Sequence, residues 1–193
     1  MTRALVTALL GVAFVAEVAV IGALAVSAYP QLPRIWPPGE RDWRFWFYWG
    51  AVGVVGVSMG AVGILEADPL LDTLLCWLGV GMVVTGLAVG VWAARQLRLE
   101  TSVGLAGELH TEGLYRYSRN PQLVGIAVAL VGAVLVVNAR AFTVGVLPTV
   151  VWLWLLPRAE EPWLHVQFGA EYERYREDVP RFVGWRSVRQ LWS

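Results

Sequence analysis

Long apolar runs separated by short polar segments dominate the chain. The first covers 4–28, the second 45–65 and the third 70–94. Each is long enough to cross a hydrocarbon core of about 30 Å at about 1.5 Å per helical residue. Two shorter runs follow, 121–137 and 141–156, at or below the lower length for a span. Only Asn138, Ala139 and Arg140 separate them, so they predict one tight antiparallel helical hairpin. That hairpin either spans with local thinning of the bilayer or dips in as a buried pair. The pattern as a whole predicts an all-α fold, a polytopic membrane helix bundle with about five transmembrane helices.

Beyond the last run the pattern changes. Leu164, Phe168, Tyr172 and Tyr175 recur at helical spacing, opposite Glu171, Glu173, Arg174 and Arg176. This predicts an amphipathic C-terminal helix that lies along the membrane surface or packs back on the bundle. Pro162 suits its first turn, and Glu160 and Glu161 suit its positive end. No internal repeat is visible. The expectation is a single membrane domain over 1–193. Three helices occupy 1–94; a polar segment, the hairpin and the tail helix occupy 95–193.

Composition strengthens the membrane reading. Apolar residues make up 57% of the chain and charged residues only 16%, against roughly 25% charged in a soluble domain. The formal net charge is zero, which removes any bulk attraction to nucleic acid. Cys76, the single cysteine, sits in an apolar run, so an intrachain disulfide and a thiolate cluster are both excluded. His110 and His165 are far apart and no metal-ligand spacing occurs, so no metal is expected.

The charges are unevenly spread. Every basic residue is Arg. Arg34, Arg41 and Arg44 follow the first run, and Arg95, Arg98, Arg116 and Arg119 follow the third. Arg158, Arg174, Arg176, Arg181, Arg186 and Arg189 lie in the tail. The other side carries Arg3, Arg140 and the acidic pair Glu66 and Asp68. By the positive-inside rule, the N-terminus is expected outside, with the tail and the 95–120 segment in the cytoplasm. Aromatic residues from Trp43 to Trp49 mark the inner interface. The first run is longer than a signal-peptide core, so it is expected to be retained.

Two polar segments could carry chemistry. Residues 107–121 combine glycines for close backbone approach, Arg116 and Arg119 for anionic groups, and an Asn120-Pro121 break that starts a helix. Residue types and spacing alone favour an ordinary juxtamembrane anchor. Arg158, Glu160 and Glu161 form the second candidate; acids at a helix start are commonly solvated groups that complement the dipole. Glu17 lies midway along the first run, where an ionisable group is costly. A functional role and a satisfied interhelical hydrogen bond both remain open for it. Asp72 lies near a helix end, where solvation is easy.

The string Gly-Leu-Tyr-Arg-Tyr-Ser-Arg-Asn-Pro-Gln-Leu-Val-Gly at 113–125 resembles a signature of the isoprenylcysteine carboxyl methyltransferases and their phospholipid methyltransferase relatives. The segment 160–182, beginning Glu-Glu-Pro-Trp-Leu and ending Val-Pro-Arg-Phe, is similar to the second signature of that family. The two lie in the family's order, separated by a helical hairpin, and the resemblance covers about 95–185. It implies an integral membrane methyltransferase that uses S-adenosyl-L-methionine and a lipophilic acceptor. Prenylcysteine or isoprenoid carboxylates and lipid head groups all fit as acceptors. By position, the resemblance assigns Gly107, Glu108, Leu109, His110, Tyr115, Asn120, Pro121, Gln122 and Leu123 to the cofactor. Glu160, with Glu161, would hold its amino or ribose end, Arg158 would orient an anionic substrate group, and Arg158 and Glu160 are the catalytic candidates. His110 and Glu112 are the candidate bases for an acceptor that must lose a proton.

Three positions depart from the family pattern. Asn120 stands where many members have His, Leu123 where many have Tyr, and His110 at a usually apolar position. These departures separate the chain from the eukaryotic carboxyl methyltransferases and leave their substrate open. Membrane sterol reductases that use NADPH share a similar Arg-Tyr-Ser-Arg stretch, and a non-catalytic membrane protein of the same fold is the third reading.

Overall fold

The computed structural model describes residues 2–68 and 73–189. The polypeptide forms α1 (Thr2–Ser27), α2 (Trp43–Glu66), α3 (Leu74–Gln96), a short α4 (Leu99–Ser102), and a 3-10 turn at Gly113–Arg116. There follow α5 (Pro121–Val137), α6 (Arg140–Phe168), α7 (Ala170–Asp178) and α8 (Trp185–Arg189). The described residues contain no strand, and one isolated bridge joins Gly39 to Leu105. The protein is thus a polytopic helical membrane bundle. Four helices, α1, α2, α3 and α6, are long and apolar enough to cross a membrane; α5 is apolar but has 17 residues. The start of the third run and Asp72 lie outside the described residues.

Local chemistry sets the helix boundaries. Asp42 caps α2, its Oδ1 accepting from the backbone N–H of Arg44 at 2.9 Å and of Phe45 at 3.4 Å. Pro121 opens α5, where a missing N–H costs nothing. Asn138 closes α5 in the left-handed conformation, at φ 50°.

The tail differs from expectation. Pro157 and Pro162 do not start a new helix; α6 runs through both and ends at Gly169, at φ 51°. Glycine tolerates this conformation without a Cβ penalty, so the break falls there. The apolar face expected of the tail is real, and it packs back on the bundle. Tyr172, Tyr175 and Val179 cluster with Leu109, Leu164 and Phe168.

The hairpin also opens differently. The connection at Asn138–Arg140 is as tight as expected, yet α5 and α6 separate beyond it. The main partner of α5 is α3, whereas α6 packs chiefly on α1. Glycines explain the first pairing. A Cβ on Gly86 would lie 2.5 Å from the Gly125 carbonyl oxygen and the Ala129 nitrogen, and one on Gly132 would lie 2.5 Å from the Gly79 carbonyl oxygen. Only bare backbones approach so closely, and in lipid such packing supplies the association energy.

Loop contacts fix which ends lie together. At one end, the Asp68 N–H donates to the Val137 carbonyl and the Asn138 amide donates to the Asp68 carbonyl, both at 3.0 Å. At the other, Gly39 exchanges hydrogen bonds with Gly104 and Ala106, each at 3.0 Å. The 28–42 loop, the 97–120 segment and the tail therefore gather at a single, arginine-rich end of the bundle.

Candidate functional site

The 28–42 loop folds back into the bundle at this end. Ser27, in the last turn of α1, accepts from the backbone N–H groups of Ile35 and Trp36, both at 2.9 Å, and donates to the Ala23 carbonyl at 2.7 Å. This anchor drops Trp36 between the helices, where it is buried. Its ring stacks on Tyr48 with centroids 3.7 Å apart, and Trp49 meets it edge-on at 6.5 Å. Gly104, at φ 86°, lies flat on Trp36, and a Cβ there would fall 2.6 Å from the ring. The Tyr48 hydroxyl in turn accepts from the indole of Trp152 on α6 at 3.1 Å.

On this aromatic floor Glu160 meets the N-terminal half of the chain. The Trp36 indole Nε1 donates to Glu160 Oε1 at 2.8 Å. No other side chain bonds Glu160 among the described residues, and Glu160 lines a cavity of about 360 Å³. That volume falls in the usual range of small-molecule sites, about 300–1,000 Å³. The cavity is lined by the backbone segment Gly107–His110, by Tyr115, and by Asn120, Gln122 and Leu123 at the start of α5. Trp163, Phe168, Tyr172 and Tyr175 close it from the tail, and Val52, Val55 and Gly56 from α2.

A second network ties the tail over the 113–125 stretch. Arg119 donates to Glu161 Oε1 at 2.9 Å and to the Tyr172 hydroxyl at 3.2 Å. Arg181 grips the same carboxylate through both oxygens, at 2.7 and 2.6 Å. Two donors in one plane match the carboxylate geometry, which is the use to which guanidinium is best suited. Arg119 also donates through its backbone to Pro180 at 2.9 Å and through Nε to the Val179 carbonyl at 3.0 Å. The Asn120 amide donates to the Arg181 carbonyl at 2.9 Å. Tyr175 donates to the Tyr115 carbonyl at 2.8 Å.

The tyrosines of this roof stay neutral. Burial pushes the Tyr115 phenol upward, with the Glu160 charge adding to it. Burial and then the Glu161 charge push Tyr172 up to about 12. Each therefore keeps its proton; Tyr115 donates to the Ala93 carbonyl at 3.4 Å, and Tyr172 accepts from Arg119. His110 meets the Tyr115 ring edge-on, with centroids 5.3 Å apart.

Most residues marked in the sequence thus converge. Gly107, Glu108, Leu109, His110, Tyr115, Asn120, Gln122, Leu123, Glu160 and Glu161 all line the one cavity. Pro121 is buried at the α5 start, behind the lining. Glu112 does not reach the lining, which leaves His110 as the candidate base that does. Glu161 lines the cavity with its carboxylate committed to Arg119 and Arg181.

Arg158 stands apart. Two residues are about 200° around a helix, so a helix that turns Glu160 inward turns Arg158 away. Its guanidinium lies over the exposed Trp154 ring at 3.3 Å and donates to the Trp154 carbonyl at 2.6 Å. It belongs to the outer face of α6 and does not line the cavity.

Trp36 and Trp152 escaped the sequence reading, and Tyr48 entered it only as one of the interfacial aromatics. The group's only other sign is a tryptophan set before Pro37 and Pro38 in a loop between two spans, where an interfacial anchor is the usual explanation. Arg181 lies within the second signature without an assigned role.

The phospholipid methyltransferase family model matches residues 74–171. That range takes in α3, the first signature, the hairpin and the Glu160–Glu161 turn. No curated protein and no solved structure matches the chain.

Proposed function

The chain belongs to the phospholipid methyltransferase family, and on that premise we propose that it transfers a methyl group from S-adenosyl-L-methionine to a lipophilic acceptor at the membrane interface. The single observation that carries the reading is the meeting of Tyr115 and Glu160 in one cavity of nucleoside size. The chemistry of the lining fits the cofactor. Glu160 offers one carboxylate oxygen for an ammonium or a ribose hydroxyl, while Trp36 holds the other oxygen in place. The backbone of Gly107–His110 and the faces of Tyr115, Phe168 and Trp163 suit a flat purine.

S-adenosyl-L-methionine supplies, when bound, an electrophilic methyl group on a cationic sulfur. The protein's own part is proximity, alignment and exclusion of water, and aligned reactants gain about 7–11 kcal/mol. The Arg119–Glu161–Arg181 clamp holds α7 and the following chain over the cavity, which shields the site from water. An apolar chamber between α2, α5 and α6 continues from the polar end and suits an alkyl or prenyl chain. A carboxylate acceptor needs no base. An amine or phenol loses a proton, and His110, which lines the cavity, is the candidate to take it. The arginine-rich end carrying this site is assigned to the cytoplasm, with the N-terminus outside.

The test is incubation of purified protein with methyl-labelled S-adenosyl-L-methionine and host membranes, followed by identification of the labelled lipid. Label in a lipid extract supports the reading. No label, together with saturable binding of NADPH, replaces it with the reductase class.

A further inference from the structure

Glu17 is a carboxyl in the middle of α1, 1% exposed, in a helix otherwise made almost wholly of apolar residues. Its Oε1 accepts from the Thr149 hydroxyl on α6 at 2.5 Å. Thr149 is at the same time a wall of the cavity described above, at the end remote from Glu160. The two lie eleven residues apart on α6, about 16 Å of helix. Between them the lining includes Val52, Val55, Gly56, Ile126, Leu130 and Leu153, beside the Trp152 indole and the Tyr48 hydroxyl, which bond each other.

A polar pair at the end of an apolar chamber has a directional consequence. The Thr149 hydroxyl spends its proton on Glu17, so its oxygen keeps lone pairs with which to accept, in a residue that lines the chamber. A plain methyl terminus leaves that acceptor unanswered in a medium without water, which is unfavourable. A chain ending in a hydroxyl answers it. A carboxyl at this depth is costly to keep, and interhelical bonding alone needs no exposure of Thr149 to the cavity.

We propose that Thr149, positioned by Glu17, is a specificity-determining residue that reads a hydroxyl at the far end of the acceptor's apolar chain. The site takes an extended chain of about a dozen carbons with its reactive group near Glu160 and its hydroxyl on Thr149. The inference rests on the acceptor using this chamber in the proposed methyl transfer.

The test is a binding measurement and needs no catalysis. Purified protein in detergent is titrated with dodecylamine and with 12-aminododecan-1-ol, whose ammonium groups suit Glu160 and whose chains differ only at the far end. The change in intrinsic tryptophan fluorescence reports occupancy, since Trp36, Trp49, Trp152 and Trp163 of the chain's 11 tryptophans line the cavity. The ratio of the two Kd values in the native protein is divided by the same ratio in Thr149→Val, which cancels partition into micelles. The expected result is a preference of about five-fold for the hydroxylated chain, the size of one hydrogen bond. It disappears in Thr149→Val and returns in Thr149→Ser. A ratio near one, a preference that survives in Thr149→Val, or failure of both probes to bind overturns the proposal. Labelled-methyl transfer is scored separately, so loss of the methyltransferase reading and loss of this one are distinguishable.

Discussion

The indole of Trp36 and the carboxylate of Glu160 meet at 2.8 Å across 124 positions of chain. This hydrogen bond joins the loop after α1 to α6, at the wall of the cavity that Glu160 lines. A loop without any recognisable motif thereby sets the orientation of the acid that the family signature points to.

Replacing Trp36 by Phe keeps the stack on Tyr48 and removes the indole N–H. A hydrogen bond to a charged group contributes about 1.5–3 kcal/mol when buried, and the opening of Glu160 to the cavity lowers this to about 1 kcal/mol. The thermal midpoint in detergent is expected to fall by a few degrees. Affinity for S-adenosylhomocysteine, read by calorimetry, is expected to fall more than the stability change alone accounts for, because Glu160 loses its aim.

The Arg119–Glu161–Arg181 clamp behaves as a unit. All three side chains are at most 29% exposed, and loss of one partner from a buried pair costs about 3–5 kcal/mol. Partial exposure places Glu161→Gln nearer about 2 kcal/mol. Arg119→Met and Arg181→Met are expected to be strongly non-additive in a double-mutant cycle of thermal unfolding, since each leaves the same carboxylate half paired. Additive effects contradict the clamp.

The α3–α5 contact depends on bare backbone. Gly125→Val sets a side chain 2.6 Å from the Gly86 carbonyl oxygen and the Gly90 nitrogen. Neither helix can yield without unseating the other, so the expected outcome is loss of the monodisperse peak in size-exclusion chromatography. Gly81→Ala, on the same helix α3 with nothing within 4 Å, is expected to be neutral or slightly stabilising.

Gly56 tests the chamber independently of the cofactor. It lines the cavity, and a Cβ there meets nothing within 4 Å. Gly56→Phe is expected to fill the apolar chamber, leave S-adenosylhomocysteine affinity within two-fold, and reduce methyl transfer to membrane lipid more than ten-fold. Equal loss of both contradicts the division of the cavity into a polar and an apolar part.

Much of this was legible in the chain because lipid imposes strict lengths. The run at 121–137 became α5 to the residue, since Pro121 and Asn138 fix its ends chemically. The tail was harder to read. Pro162 carries a start signal, yet α6 passes through it, as membrane helices accommodate proline where neighbouring helices re-satisfy the freed backbone, and Gly169 at positive φ makes the break. The separation of α5 from α6 depends on which glycines face one another across α3, and that is a tertiary fact. Arg158 and Glu160 sit two positions apart in one signature, and only the helix phase separates a cavity residue from an outer one. The pairing of Trp36 with Tyr48 was hidden because stacking partners in a loop and a span leave no periodic trace.

The most direct test of a single cofactor cavity is calorimetric titration of the purified protein with S-adenosylhomocysteine, repeated with Glu160→Gln and Tyr115→Ala. The account predicts one saturable site in the native protein, with at least ten-fold weaker binding in both variants while each retains its elution profile. Native-like affinity in both variants, or no binding by the native protein, contradicts it.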